Sequence, residues 1–432
     1  MKNASVFYRN LEEELDVRRA QHGCIMLHTK EQTSMVDFSS TDILGLSTSG
    51  SVRKGYLDEL AKHPDFKLSS HGSRLTDGNS KYLEDVEREL AAFHGAEAGL
   101  IVNTGSLGNA AIFSVIPRPG DAIVYDELIH ASVHDGMKDS LALYRKAFRH
   151  NDSESLYDAL VAVQESQPQI RNGTRSVLVA VESVYSMDGD ICPLQELIET
   201  AKEVFPEGNV QFVIDEAHST GVIGPNGAGL VSALGLESEV AIRLHTFGKA
   251  LAATGAVILC NETVRTMLIN YARSIMFSVA PSFPMLASIR ATYQLLRSGE
   301  TQGAQNRVHE IVKFFLETMT SDPIWNVQPV LTQIIQLRTR TKHNFYLAFH
   351  LQRAGFSVFP ISYPVVPKGT ERVRIIFHAS NTDAEVKALV AAIAEWAQEM
   401  LEIERSGDRT RVPAAARHVY ALIAQANMNG SE

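Results

Sequence analysis

Lys249 is the residue around which a chemistry can be built. It stands among small and apolar neighbours in Leu244-His245-Thr246-Phe247-Gly248-Lys249-Ala250-Leu251-Ala252-Ala253-Thr254-Gly255-Ala256, downstream of an acid and an imidazole in Val213-Ile214-Asp215-Glu216-Ala217-His218. A lysine held where water is scarce gives up its charge readily, because burial disfavours the ammonium form. Such an amine can form a Schiff base with an aldehyde cofactor. Pyridoxal phosphate (PLP) is the aldehyde whose sites pair that lysine with an acid for the ring nitrogen. Taken alone, a lysine is more ordinarily a solvated surface charge. Asp215 follows the apolar run Val210 to Ile214; a carboxylate there can keep a pyridine nitrogen protonated, or simply cap the next helix. His218 is positioned to reach a ring's phenolic oxygen or a substrate, and His130, in Leu128-Ile129-His130-Ala131-Ser132, to lie on a ring face. Either also reads as a structural histidine. Asn103-Thr104-Gly105-Ser106-Leu107-Gly108-Asn109 is a small-residue turn entering a helix. Its free N–H groups suit a cofactor phosphate, although an ordinary strand–helix turn looks the same.

These residues need a frame. Apolar runs at Leu100 to Val102, Ala122 to Tyr125, Ser176 to Val181, Val210 to Ile214 and Ala256 to Leu259 are nearly continuous, as strands buried on both faces of a parallel sheet are. Helical patterns alternate with them; Leu83, Val86, Leu90 and Phe93 fall on one face of a helix over Lys81 to His94, with Ser80 as cap and Gly95 as stop. The expectation is an α/β large domain with a mostly parallel sheet over residues 46–292, preceded by an N-terminal helix and arm over 1–45. From about residue 293 the character shifts. A helix near Asn306 to Met319, strands at Thr332 to Leu337 and Arg372 to Phe377, and a capping box at Thr382-Asp383-Ala384-Glu385 predict a smaller α+β domain over 293–408. A weakly patterned tail over 409–432 holds one short helical stretch, Val419 to Ala424.

Composition narrows the function. At 432 residues with a net charge of −10 the chain lacks the basic balance of a nucleic-acid binder. No apolar run is long enough to span a bilayer. Met1 to Arg19 is charged, without the apolar core of a signal peptide, so a cytoplasmic enzyme is expected. Cys24, Cys192 and Cys260 are too few and too scattered for a disulfide framework, and no metal spacing arises from them or from His130 and His134. Gly248-Lys249 lacks the remaining residues of a phosphate-binding Walker loop.

Taken in order, the blocks are more specific than their parts. They are Phe38-Ser39-Ser40-Thr41-Asp42-Ile43-Leu44-Gly45-Leu46, His71-Gly72-Ser73-Arg74, His130-Ala131-Ser132 and His150-Asn151-Asp152, then Glu182-Ser183-Val184-Tyr185-Ser186-Met187-Asp188-Gly189-Asp190, Asp215-Glu216-Ala217-His218-Ser219-Thr220-Gly221, Thr246-Phe247-Gly248-Lys249 and Gly369-Thr370-Glu371-Arg372-Val373-Arg374. From about Asp37 to Ala379 the chain resembles the α-oxoamine synthases, PLP-dependent transferases of fold type I. The resemblance implies a PLP-dependent acyltransferase that condenses an α-amino acid with an acyl thioester, on coenzyme A or a carrier protein, and releases carbon dioxide. It implies that Lys249 holds the cofactor and moves the α-proton, that Asp215 holds the pyridinium, and that His218 and Ser186 address the phenolic oxygen. His130 would stack on the ring, while Thr246 and the backbone at Gly105 and Ser106 would bind the phosphate. Arg374 would receive the amino-acid carboxylate, with Thr41 and Ser73 nearby. The family is homodimeric with shared active sites, and Ser278 would reach the phosphate of the neighbouring subunit.

Departures cluster around the substrates. Thr41 replaces the family's usual Asn, and Phe277-Ser278-Val279-Ala280 keeps one hydroxyl of a pair. The biotin-pathway member, 8-amino-7-oxononanoate synthase, reads a dicarboxylic acyl chain with basic residues after an Arg-Arg-Ala segment. Here Arg18-Arg19-Ala20 is followed by Gln21-His22-Gly23-Cys24-Ile25-Met26-Leu27, and Val365 replaces an acyl-site hydroxyl. A distal carboxylate would be buried unpaired, so a neutral fatty or polyketide acyl group is expected. The alternatives are the biotin-pathway reaction itself, another PLP reaction such as transamination, and a silent partner subunit; the last would be expected to lose the Schiff-base lysine, and Lys249 is retained.

Overall fold

The protein is described here by a computed structural model covering residues 5–20, 24, 34–320, 332–340, 343–408 and 410–429. It divides into two compact units, residues 1–35 and 36–432. The first contains a helix, Val6–Ala20, with no buried residue. The arm expected to run to residue 45 belongs from Val36 onward to the second unit.

In chain order the strands are β1 (Val36–Asp37), β2 (Ala98–Val102), β3 (Ala122–Asp126), β4 (Tyr144–Phe148), β5 (Val177–Glu182), β6 (Val210–Asp215), β7 (Val240–Thr246), β8 (Ala256–Cys260), β9 (Ile334–Arg338), β10 (Phe356–Ser357), β11 (Phe359–Ile361) and β12 (Arg372–Ile376). Seven of them form one sheet in the order β2-β8-β7-β6-β5-β3-β4, in which β8 alone runs opposite to the other six. Side chains alternate across a strand, and here both faces are covered. Val124, Val179 and Ile214 enter one core while Ile123, Leu178 and Val213 enter another. That double burial is why these strands read as unbroken apolar runs.

Two strands have no such run. β4 contains Arg145 and Lys146 and lies at the sheet edge, largely exposed. β7 is interrupted by Arg243 and His245, which are buried because distant groups receive them: Arg243 Nη1 donates to the His94 carbonyl at 2.8 Å, and His245 Nδ1 lies 2.9 Å from Thr220 Oγ1. The helix Lys81–Phe93 starts where Ser80 Oγ accepts the Leu83 N–H and stops before Gly95 at φ +63°.

The smaller sheet, β11-β12-β9, is antiparallel, with Phe359 opposite Arg374 and Arg374 opposite Gln336. One face sends Ile335, Val373 and Ile375 into a core with Val386, Leu389 and Ile393 of the helix Asp383–Ser406. That helix opens on the expected capping box, both of whose hydrogen bonds are present. The opposite face therefore carries Arg374. Phe38 joins the same small core, and β1 pairs with β10, which ties residues 36–38 to it. The tail forms a longer helix than expected, Ala414–Asn429.

Candidate active site

The C-terminal ends of β2, β3, β4, β5, β6 and β7 point to one edge of the large sheet, because β2 and β7 are both antiparallel to β8. Ligands of open α/β sheets bind at that edge. β2 leads into Gly105 and Ser106, the first residues of the helix Gly105–Val115. β3 leads to His130, which caps the helix Ala131–Lys138. β5 ends on Glu182 before the turn holding Ser186; β6 ends on Asp215, with His218 in the following turn; β7 ends on Thr246, three residues before Lys249.

Several of these groups are held in place. Both Asp215 oxygens are occupied: Oδ2 accepts from Asn109 Nδ2 at 2.8 Å and Oδ1 from the Ala217 N–H at 2.9 Å. Asn109 also donates to Ser132 Oγ, which lies 2.7 Å from His130 Nδ1. The ring of His130 and the carboxylate of Asp215 are thus joined through two intermediates. Gly105 sits against Thr246 so closely that a Cβ would collide with the threonine methyl, so only glycine lets the start of this helix pack against the end of β7. Arg374 Nη1 donates to the Ser186 carbonyl at 3.0 Å, which brings the small sheet to the turn after β5.

Electrostatics bind the group together. Burial lowers the basicity of Lys249, Asp215 and Glu182 oppose that effect, and Arg374 adds to it. Burial raises the Glu182 carboxyl well above the usual range, and Asp215, its register neighbour on β6, raises it further. His218 is driven well below the ordinary imidazole value by burial and then by Lys249, Arg374 and His130. The site therefore contains an amine of reduced basicity, a neutral imidazole and a carboxyl that favours its proton.

Asn109, Ser132 and Glu182 were not singled out in the sequence as site residues. The available signal for Glu182 was its place at the end of an apolar run parallel to the one ending in Asp215; for Asn109 it was one helical turn beyond Gly105. Conversely, Thr41, Ser73 and Ser278 make no hydrogen bond to this group among the described residues. Thr41 lies in the segment tied to the small sheet by the Ala379 N–H to Ile43 carbonyl bond. Ser278 donates to the Ser274 carbonyl, and its segment pairs with that of Ser73 through the Ala280 N–H and Gly72 carbonyl. Of residues 21–27, used above for the acyl chain, only Cys24 lies within the described residues.

The turn after β5 is itself anchored. His150 lies 3.0 Å from Asp126 Oδ1 through Nδ1 and 2.6 Å from Asp190 Oδ2 through Nε2. Burial opposes its charge, but the two carboxylates outweigh burial and lift its pKa to about 10. A histidine whose folded value is raised contributes stability that is fully present below its unfolded value, near 6.5, and is lost as pH rises towards 10. The melting temperature of His150→Gln should therefore lie furthest below that of the unmodified protein near pH 6.5, and the gap should close by about pH 10.

The chain is similar to known proteins over most of its length. The family described as aminotransferase class I and II matches residues 33–393. An aminoacyl transferase sphA of Aspergillus fumigatus is 52% identical over 98% of this chain and 94% of its own length. The 8-amino-7-oxononanoate synthase of Emericella nidulans is 44% identical over 89% of this chain and 94% of its own. Among solved structures, a serine palmitoyltransferase of Sphingomonas wittichii superposes with a TM-score of 0.78 at 22% identity, covering 93% of this chain and 100% of that one. The fold is that of the PLP-dependent transferases of fold type I. Within the aminotransferase class I and II family, the chain belongs to the α-oxoamine synthases, which are PLP-dependent acyltransferases.

The residues present fit PLP. His218 Nδ1 and Thr246 Oγ1 are buried without a hydrogen-bond partner among the described residues, a costly condition unless a ligand supplies one. The donor set at Gly105, Ser106 and Thr246 suits a phosphate, and Asp215 suits a protonated ring nitrogen.

Proposed function

We propose that the protein joins the α-carbon of a small α-amino acid to the acyl carbon of a thioester, releasing the thiol and carbon dioxide and leaving an α-amino ketone. The observation that carries this reading is that Asp215, Glu182 and Arg374 all act on the Lys249 amine, with Glu182 opposite Asp215 in register and Arg374 bound to the turn after β5: an amine of lowered basicity, an acid for the ring nitrogen and a receptor for a carboxylate share one site. When bound, PLP supplies the electron sink for negative charge at the α-carbon. Lys249 Nζ would hold the cofactor and take the α-proton; its lowered pKa leaves more of the amine unprotonated and free to do so. Asp215, fixed by Asn109 and the Ala217 N–H, keeps the ring nitrogen protonated. His218 Nδ1 and Ser186 address the phenolic oxygen, and His130 lies on the ring, its orientation set by Ser132. The Gly105 and Ser106 N–H groups hold the phosphate with Thr246. Arg374 receives the amino-acid carboxylate in a bidentate pair, with Thr41 and Ser73 beside the substrate.

The acyl group in this reading is neutral, a fatty or polyketide chain on coenzyme A or a carrier protein. Phe359, 64% exposed, stands directly across from Arg374, and Tyr363 and Val365 follow it, both also exposed. An apolar strip beside the carboxylate receptor supports an apolar acyl chain over one that ends in a charge. The 44% identity to 8-amino-7-oxononanoate synthase favours the biotin-pathway substrate as a second reading. A thioester panel separates the two: palmitoyl-CoA should be turned over with kcat/KM at least about tenfold above pimeloyl-CoA, since one unpaired buried charge costs several kcal/mol. Efficient use of pimeloyl-CoA with refusal of palmitoyl-CoA would sink the neutral-chain reading. The same proposal includes a cytoplasmic homodimer in which Ser278 of one copy reaches the phosphate of the other. It is supported by the exposure of Phe277 and Val279 on either side of Ser278 and by free Cys24, Cys192 and Cys260. Sedimentation at micromolar concentration should give twice the chain mass, and a monomer would overturn the shared site.

A further inference from the structure

We propose that His150 is a positioning residue that fixes Arg374 for the substrate, acting through the turn that follows β5. This rests on the reading above that Arg374 receives the amino-acid carboxylate. His150 stands at the end of β4, outside the group around Lys249, with its ring edge-on to buried Tyr185 at 4.4 Å. Nδ1 meets both oxygens of Asp126, at 3.0 and 3.1 Å, while Nε2 meets Asp190 at 2.6 Å. Ionised carboxylates only accept hydrogen bonds, so both ring nitrogens must carry protons and the ring is the cation.

Each carboxylate belongs to a different site loop. Asp126 is fully buried at the end of β3, where it also accepts the Leu128 and Asn151 N–H groups, and its turn leads to His130. Asp190 closes the turn after β5: its carbonyl accepts the Tyr185 N–H, and its carboxylate takes Asn151 Nδ2 as well. Within that turn the Ser186 carbonyl accepts from Arg374 Nη1, and Asp188 and the Met187 carbonyl accept from Arg372 Nη1 at 2.6 and 3.3 Å. An unbroken chain thus runs Asp126–His150–Asp190–turn–Ser186–Arg374.

The two ends are not equally strong. Asp126 remains held by two backbone N–H groups if the imidazolium is lost, and its burial gives it nowhere to go. The Asp190 carboxylate would keep only Asn151 Nδ2, a side-chain donor, and with a side chain 37% exposed it can turn to water. Two carboxylates left facing each other repel, so the partly exposed one moves and releases one end of the turn; Arg372 still holds Asp188 and Met187, and the Ser186 carbonyl is freed to shift. Arg374 then loses its fixed acceptor, while Asp215, at the end of β6, keeps its donors Asn109 and the Ala217 N–H.

The test uses the purified holoenzyme with His150→Gln, Arg374→Ala and the double variant. Amino-acid dissociation constants come from titrating the visible cofactor band with whichever of glycine, L-alanine and L-serine perturbs it most; PLP content is measured alongside. His150→Gln should raise that constant at least about tenfold with PLP content within about twofold, and should add less than about twofold in the Arg374→Ala background, as residues acting through one another do. An unchanged constant in His150→Gln, equal effects in both backgrounds, or loss of PLP in parallel with affinity would each overturn the proposal. If Arg374→Ala alone leaves binding unchanged, the reading of Arg374 falls and this proposal with it; if it weakens binding and His150→Gln does not, only this proposal falls. Asp190→Asn, at a partly exposed position, should reproduce the His150→Gln result and keeps the test decisive if His150→Gln does not fold.

Discussion

Lys249→Ala is expected to lower turnover by about 10⁴-fold or more while the protein still folds. General base catalysis by a placed side chain is worth about 10²–10⁴, and loss of the amine that holds the cofactor covalently adds to this. The folded state tolerates the change because the carboxyl left beside the vacated position can adapt. Glu182 already favours its proton through burial and the proximity of Asp215, so removing one positive charge need not leave two buried negative ones. Borohydride reduction followed by mass spectrometry should add a pyridoxyl phosphate group to the peptide containing Lys249 in the unmodified enzyme and to none in the variant. Residual turnover within tenfold of the unmodified enzyme would remove Lys249 from the chemistry. Labelling of another lysine would reassign its role.

Asp215→Asn is expected to cost about 3–5 kcal/mol of transition-state stabilisation, the loss seen when one partner of a buried charge pair is removed. At about 1.4 kcal/mol per decade this is a fall of roughly 10²–10³·⁵ in kcat/KM. The new amide can still accept the Ala217 N–H through its oxygen. Its NH₂ then faces Asn109 Nδ2, which donates to the present carboxylate, so two donors oppose each other. A graded control follows from the same contact. Asn109→Leu removes one hydrogen bond to a charged group and should cost about 1.5–3 kcal/mol, or roughly ten- to a hundredfold. Steady-state kinetics on the three proteins would order them Asp215→Asn, then Asn109→Leu, then the unmodified enzyme. If Asn109→Leu equalled the unmodified enzyme, the fixed orientation of Asp215 would not matter to the reaction.

The sequence was most legible where local rules act alone. Strands β2, β3, β5, β6 and β8 read as apolar runs because both of their faces are covered, and the capping box from Thr382 to Glu385 is a four-residue pattern that either is present or is not. It failed where a residue's partner is far away in the chain. β7 does not read as an apolar run because Arg243 and His245 interrupt it, and what makes them tolerable in the core is the His94 carbonyl and the Thr220 hydroxyl. β4 does not read as an apolar run either, because an edge strand need not be apolar and Arg145 and Lys146 are exposed.

The same division runs through the site. Residue types and their order along the chain were enough to nominate Lys249, Asp215, His218 and His130, because each chemistry needs a particular functional group, and the resemblance carried by the ordered blocks added Arg374. Their mutual placement was decided by tertiary structure alone. Asn109 meets Asp215 across 106 residues and Arg374 meets Ser186 across 188. Glu182 lies beside Asp215 only because β5 and β6 pair in that register, and a slip of one residue would turn it to the other face. The shifted basicity of Lys249 and the neutrality of His218 come from burial, which depends on how the two sheets and their helices close over these side chains and is carried by no residue's type or spacing.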